Sequence, residues 1–179
     1  MRILVLSDAH GNINYIKRAI ENEPSSKKIF YLGDGSNDVL RLKENYPDKE
    51  FIIIKGNNDI GAIPEIFCGF LNGLKTIAVH GHKQYVKYNL DRLYFLALEN
   101  EAKIVLYGHT HTPDTTYNNG VYFLNPGALS GLNPTYMVID FEKSGIMPVI
   151  KQLKVWTNCK LFQPLLMIKF VETTRNCDK

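Results

Sequence analysis

The chain predicts an α/β fold with a mostly parallel sheet at its start and a second sheet behind it, and three observations carry that reading. Short apolar runs without polar alternation recur in the first third, at residues 3–6, 29–32 and 51–54. Helix-spaced segments separate those runs. Later apolar runs are parted by Gly, Pro and Asn instead of helices.

In order along the chain, Ile3-Leu4-Val5-Leu6 meets polar residues at once, so it predicts a strand buried on both faces. Asn12 is a candidate cap for a helix over 13–22, where Ile13, Ile16 and Ile20 recur at helical spacing. Residues 29–32 predict a second strand and 51–54 a third. Between them, 39–46 has helix character, with Val39, Leu42 and Tyr46 on one side. Strand–helix–strand–helix–strand order implies right-handed crossovers in a mostly parallel sheet. Residues 65–71 and 74–79 form a candidate hairpin through Asn72-Gly73. Residues 90–99 predict a helix and 104–107 another buried strand. The runs 121–124, 136–141 and 149–153 then suggest a second sheet completing a sandwich. From Val155 onward, Leu165-Leu166-Met167-Ile168 precedes a polar end. That stretch reads as a last strand or helix, or as a partner contact, with disorder expected only for the final ~8 residues.

A length of 179 residues suits one domain with a substantial core. A net charge of +3, without a basic stripe interleaved with aromatics, gives no indication of stable nucleic-acid binding. Cys68, Cys159 and Cys177 are odd in number and lack C-x-x-C spacing, which fits reduced thiols in a cytosol. The first apolar run is too short for a signal peptide, and none approaches the ~20 residues of a transmembrane helix. A cytoplasmic protein without membrane contact is the expectation.

All five histidines fall in three short clusters: Asp8-Ala9-His10, His80-Gly81-His82 and His109-Thr110-His111. Each cluster follows an apolar strand candidate. Residues two apart on an extended backbone point to the same side, so Asp8 with His10, and His109 with His111, should converge beyond the strand ends. Gly33-Asp34-Gly35 and Gly56-Asn57-Asn58-Asp59 follow strands in the same way. Taken singly, each cluster has a plainer reading: a capping Asp beside a surface His, or a Gly-Asp turn. The joint pattern decides for a metal site, because the histidines occur nowhere else. Carboxylate plus imidazole donors suit Mn, Fe, Zn or Ni better than Ca or Mg alone. There are too many donors for one ion, and a pair about 3.5–4 Å apart is the hydrolytic clamp of many phosphatases and nucleases.

The ordered set D-x-H, G-D, G-N-x-D, H-G-H and G-H-x-H resembles the calcineurin-like metallophosphoesterases. Within them the chain looks most like the small bacterial and archaeal phosphodiesterases, which have a retromer subunit among their relatives. Asn125-Pro126-Gly127-Ala128 is close to the N-P-G-S of that subgroup. The resemblance covers roughly residues 1–154 as one phosphoesterase domain and leaves 155–179 as a C-terminal extension. It implies a four-layer αββα sandwich with two mixed sheets. It implies one ion held by Asp8, His10, Asp34 and His111, and a second held by Asp34, Asn57, His80 and His109, with Asp34 bridging. Manganese is the first choice, with nickel, cobalt, zinc or iron as alternatives. His82 would lie near the site, and a supporting or surface role is its alternative.

Asn58 is a departure. Many superfamily members carry His at that point, where it assists the leaving group, and the small phosphodiesterases usually carry Cys. Asn cannot act as a general acid, so monoesters with poor leaving groups should suffer most. Asn58 and His82 remain candidates for neutralising charge on the phosphoryl oxygens. The implied reaction is in-line hydrolysis by a hydroxide bridging two ions, without a Ser or Cys nucleophile and without a P-loop. A small or nucleotide-derived phosphodiester is the leading substrate. A phosphomonoesterase is the rival within the enzyme class, and a non-catalytic scaffold is the rival outside it. Loops 60–70 and 85–89 would set selectivity, with Tyr85 and Tyr88 either stacking on a base or packing. Self-association through 165–168 is a further expectation.

Overall fold

The apolar runs that lack alternation become strands with two dry faces. In the computed structural model, which describes residues 1–142 and 145–154, β1 (Arg2–Leu6), β2 (Lys28–Tyr31) and β3 (Glu50–Ile53) pair in parallel. Leu4, Leu6, Ile29 and Tyr31 pack under α1 (Ile13–Asn22) and α2 (Ser36–Leu42). Ile3, Val5 and Phe30 face the opposite way, into a core shared with a second sheet. That sheet holds β4 (Ile66–Leu71), β5 (Leu74–Val79), β6 (Ile104–Leu106), β7 (Pro113–Asn118) and β8 (Val121–Pro126), ordered β4-β5-β6-β8-β7. Its outer face packs Ile77, Val79 and Val105 against Leu93 and Ala97 of α3 (Asp91–Glu99). Three separate apolar clusters therefore define four layers, helix, sheet, sheet and helix, as expected.

The last two described strands depart from expectation. β9 (Thr135–Glu142) and β10 (Gly145–Gln152) do not extend the second sheet; they return to the first, in the order β10-β9-β1-β2-β3. The reason lies in β9, which is apolar on both faces. Met137 and Ile139 enter the core between the sheets, while Tyr136 and Val138 enter the cluster under the helices. Only a position beside β1 buries both sets. β7 went unpredicted because Pro-Asp-Thr-Thr-Tyr-Asn is polar and mostly exposed at a sheet edge. Its one signal is Asn119-Gly120, both at positive φ, which turns the chain tightly into β8.

Smaller differences concern ends. The second helix begins at Ser36, three residues before the predicted start, and closes through a 3₁₀ turn over Lys43–Asn45. Asn12 occupies the cap position of α1, but its side chain makes no capping bond. The predicted extension from Val155, with its apolar 165–168 stretch and any self-association through it, lies outside the described residues.

Candidate metal centre

The site collects where five strands end. Asp8 and His10 follow β1, Asp34 follows β2, Asn57 follows β3, His80 follows β5, and His109 and His111 follow β6. Backbone hydrogen bonds fasten these loops together: Asp8 N–H donates to Gly33 O and His10 N–H to Asp34 O, both at 3.0 Å. Gly108 N–H donates to His80 O at 3.0 Å, and His109 N–H reaches across the sheets to Asp8 Oδ2 at 3.0 Å. Every candidate drawn from the sequence meets at this rim.

The donor atoms form two groups, Asp8 with His10 and His111, and Asp34 with His80 and His109, each lying within 4.8 Å of one another. In the first, His10 Nε2 is 3.1 Å from His111 Nε2, and His111 Nε2 is 3.2 Å from Asp8 Oδ1. In the second, His80 Nε2 is 3.1 Å from His109 Nδ1 and 3.0 Å from Asn57 Oδ1. Asp34 Oδ2 lies 3.9 Å from His10 Nε2 and 3.7 Å from His80 Nε2, so it stands between the groups.

These contacts suit a cation. His80 Nδ1 donates to Leu32 O at 2.6 Å, which leaves neutral His80 a bare lone pair at Nε2. The Asn57 Oδ1 facing it is also an acceptor, and neither atom can satisfy the other. Asp8 Oδ1 is buried without a hydrogen-bond partner. A buried carboxylate oxygen in that state is costly unless positive charge answers it. The residues present therefore fit divalent ions.

The expectation that these residues converge along extended backbone is corrected. Asp8, His10, Asp34, His109 and His111 all lie in the left-handed region, with φ of 54°, 47°, 56°, 69° and 60°. The pairs meet across tight reversals, not along a strand. Such positions cost about 1–3 kcal/mol each and cluster at functional sites. Glycine is required where two of these loops touch. A Cβ on Gly33 would sit 2.6 Å from His80 Nδ1 and 2.7 Å from Gly56 N, and one on Gly56 would strike the Asp34 carboxylate.

Asp59, the last residue of the G-N-x-D motif, has a role that the motif itself does not announce. Its carboxylate accepts the backbone N–H groups of Asp34, Gly35 and Ser36 at 2.9 Å and of Gly56 at 2.8 Å. It thereby clasps the Asp34 loop to the Asn57 loop. Burial opposes its ionisation, but these donors win and hold its carboxyl below the usual range. Asn125 does similar work: its Nδ2 donates to Gly108 O at 3.1 Å and Thr110 Oγ1 at 3.0 Å, while its Oδ1 accepts from Gly127 N–H at 2.9 Å. Tyr31 and Ser7, silent in the sequence, also hold ligand loops. Tyr31 OH takes Ala9 N–H and donates to Asp34 O at 3.0 Å, and Ser7 Oγ donates to Asp8 Oδ2 at 2.5 Å.

The site's electrostatics divide its imidazoles. Burial, then the charge of His80 and of Lys87, brings His109 down to about 4. His111 is raised, chiefly by its close approach to the Asp8 carboxylate. For Asp8, burial pushes the carboxyl up, but the approach of His111, the His80 charge and donors from Ser7 and His109 bring it below its ordinary value. The His82 ring centroid lies 5.4 Å from that of His80 and 6.1 Å from that of His109. Its Nδ1 is buried without a partner, and burial depresses its pKa. Asn58 donates its backbone N–H to Asp34 Oδ1 at 2.9 Å and its Nδ2 to Oδ2 at 2.7 Å.

Known proteins resemble this chain over most of its described length. The family model for the calcineurin-like phosphoesterase superfamily domain matches residues 1–144. The phosphodiesterase MJ0936 of Methanocaldococcus jannaschii is 27% identical over 172 residues, which cover 84% of this chain and 99% of the relative. The phosphodiesterase YfcE of Escherichia coli is 25% identical over 181 residues, covering 85% and 94%. Among solved structures, zinc-complexed Vps29 from Entamoeba histolytica aligns with a TM-score of 0.67 over 86% of this chain and 98% of its own. At 18% identity that likeness is one of fold.

Proposed function

The chain belongs to the calcineurin-like phosphoesterase superfamily, and from that membership we propose a metal-dependent phosphodiesterase acting on a small or nucleotide-derived diester. The observation that carries the reading is the pair of donor groups joined through Asp34. We assign Asp8, His10, Asp34 and His111 to one ion and Asp34, Asn57, His80 and His109 to the other, with manganese the first candidate for both. Two such ions, when bound, supply Lewis acidity and lower the pKa of water enough to give hydroxide near neutral pH.

The chain's own groups do the rest. Asp8 and Asp34 hold their carboxylates buried beneath the rim, being 0% and 2% exposed. His109, with its pKa near 4, is a neutral ligand throughout the physiological range. We assign to His82 and Asn58, which border the donor groups, the role of hydrogen-bonding phosphoryl oxygens as charge develops there. No carboxyl or imidazole stands at Asn58 to protonate a departing alkoxide. That favours diesters with stable leaving groups over monoesters with poor ones.

The likeness in fold to Vps29 supports a second reading, a non-catalytic scaffold. Retention of every carboxylate and imidazole in the two groups favours the enzyme. Among the described residues no helix is long and apolar enough to cross a membrane. An odd number of cysteines without C-x-x-C spacing supports a reducing, cytoplasmic setting for the activity. The test is turnover of bis(p-nitrophenyl) phosphate beside p-nitrophenyl phosphate after reconstitution with Mn, Ni, Co or Zn. Diester turnover lost in Asp34→Asn and His109→Ala supports the assignment. No turnover with any metal shifts the conclusion to the scaffold.

A further inference from the structure

The two buried aspartates of the site have their oxygens occupied in different ways. Asp34 accepts one hydrogen bond on each oxygen, from Asn58 N–H at Oδ1 and from Asn58 Nδ2 at Oδ2, at 2.9 and 2.7 Å. Each carboxylate oxygen offers roughly two lone-pair sites, so both Asp34 oxygens keep one for a further partner. Asp8 is lopsided. Its Oδ2 accepts the Ser7 hydroxyl at 2.5 Å and the His109 N–H at 3.0 Å, which fills that oxygen. Its Oδ1 has no hydrogen-bond partner, although the residue is 0% exposed. That bare oxygen faces His111 Nε2 at 3.2 Å and His10 Nε2 at 3.9 Å.

The Ser7 hydroxyl is enclosed where the two sheets meet. Ser7 is buried, and its carbonyl accepts Leu129 N–H at 2.9 Å. The hydroxyl fills space that only a glycine at 108 leaves open. A Cβ on Gly108 would lie 2.1 Å from Ser7 Oγ and 2.9 Å from Asp8 Oδ2. Gly108 is itself fixed, its N–H by His80 O and its carbonyl by Asn125 Nδ2. Loops from both sheets therefore hold one hydroxyl against one carboxylate oxygen.

Resting on the assignment of Asp8 to the ion shared with His10 and His111, we propose that Ser7 is a positioning residue for cation selectivity. By filling Oδ2 together with His109 N–H, it leaves Asp8 a single oxygen to offer. Calcium takes about six to eight oxygens and draws on carboxylates that can give both. Manganese, cobalt and zinc are satisfied by one carboxylate oxygen beside imidazole nitrogens. The filled Oδ2 thus discriminates against calcium beyond what the imidazoles already do. The same count suits Asp34, with a site left on each oxygen, to stand between two ions.

The test reads metal affinity, not turnover. Manganese titration followed by electron paramagnetic resonance, with calcium as competitor, gives the ratio of the two affinities for each chain. Ser7→Ala opens one site on Oδ2 and should shift that ratio toward calcium about tenfold, the scale on which groups behind a metal ligand act. Gly108→Ala, which displaces the hydroxyl from another strand, should shift it in the same direction. An unchanged ratio, or equal weakening of both cations as a role confined to folding would give, would overturn the proposal. So would a crystal structure of the manganese-loaded parent with both Asp8 oxygens on the ion. Failure of the parent chain to bind manganese at all would remove the metal assignment, and this proposal with it.

Discussion

The two donor groups share one rim and one carboxylate, yet they are built to different standards. Around Asp34, the His80 side chain is 0% exposed and its ring is fixed by the Leu32 carbonyl. Around Asp8, the His10 and His111 side chains are 34% and 44% exposed, and their Nε2 atoms face each other and the carboxylate oxygens of Asp8 and Asp34. Ring orientation set by a backbone partner is what pre-organises a metal ligand. The inner group is therefore prepared before an ion arrives, and the outer group is completed by it.

The largest effect should follow from the residue both halves share. Asp34→Asn should weaken both ions and cut diester turnover by about a thousandfold or more, the scale expected when a two-metal clamp is lost. Retention of tight binding in either half would show that the halves do not depend on Asp34. Next in size, His80→Ala should reduce the affinity of the inner ion by roughly a hundredfold, while His10→Ala reduces that of the outer ion by about tenfold. Calorimetric titration of each variant separates the two; equal losses would erase the contrast.

Acidity should sharpen the same contrast. In the metal-free chain His109 takes a proton only near pH 4, whereas the unfolded chain takes one near 6.5. Between those values the unfolded state binds more protons, so this group's contribution to stability falls as pH falls. His111 is raised, so its contribution is present below the unfolded value and is lost as pH rises through its folded one. Ion binding needs both rings neutral, and protons compete at His111 before they compete at His109. Metal counted per chain across a pH titration should show the outer ion leaving first, and simultaneous loss would contradict it.

A smaller effect, on the fold more than on the ions, is expected at Asp59. An amide there can accept some of the four N–H groups but must turn its own N–H toward the rest. Asp59→Asn should cost about 1–3 kcal/mol in denaturant unfolding. An unchanged midpoint would show that the clasp between the two loops carries no stability.

The two halves also differ in how much of them could be read in advance. The candidate donors were legible throughout, because the five histidines recur after apolar runs and nowhere else. The order of elements was legible where burial imposes a run, as in β1, β2 and β6. It failed for β7, whose edge position needs no apolar residue, and for β9, whose sheet is chosen by what covers its second face. Convergence was expected for the wrong reason, since left-handed φ at Asp8 or His111 leaves no compositional trace when the residue is not glycine. Asp59, Tyr31 and Ser7 were silent because a side chain that holds backbone announces itself only once the loops are in place.

The central claim, a carboxylate shared by two adjacent ions, is open to one direct reading. Electron paramagnetic resonance of the manganese-saturated chain should show a spin-coupled pair, collapsing to isolated-ion signals in Asp34→Asn. Isolated-ion signals from the saturated parent chain would contradict it.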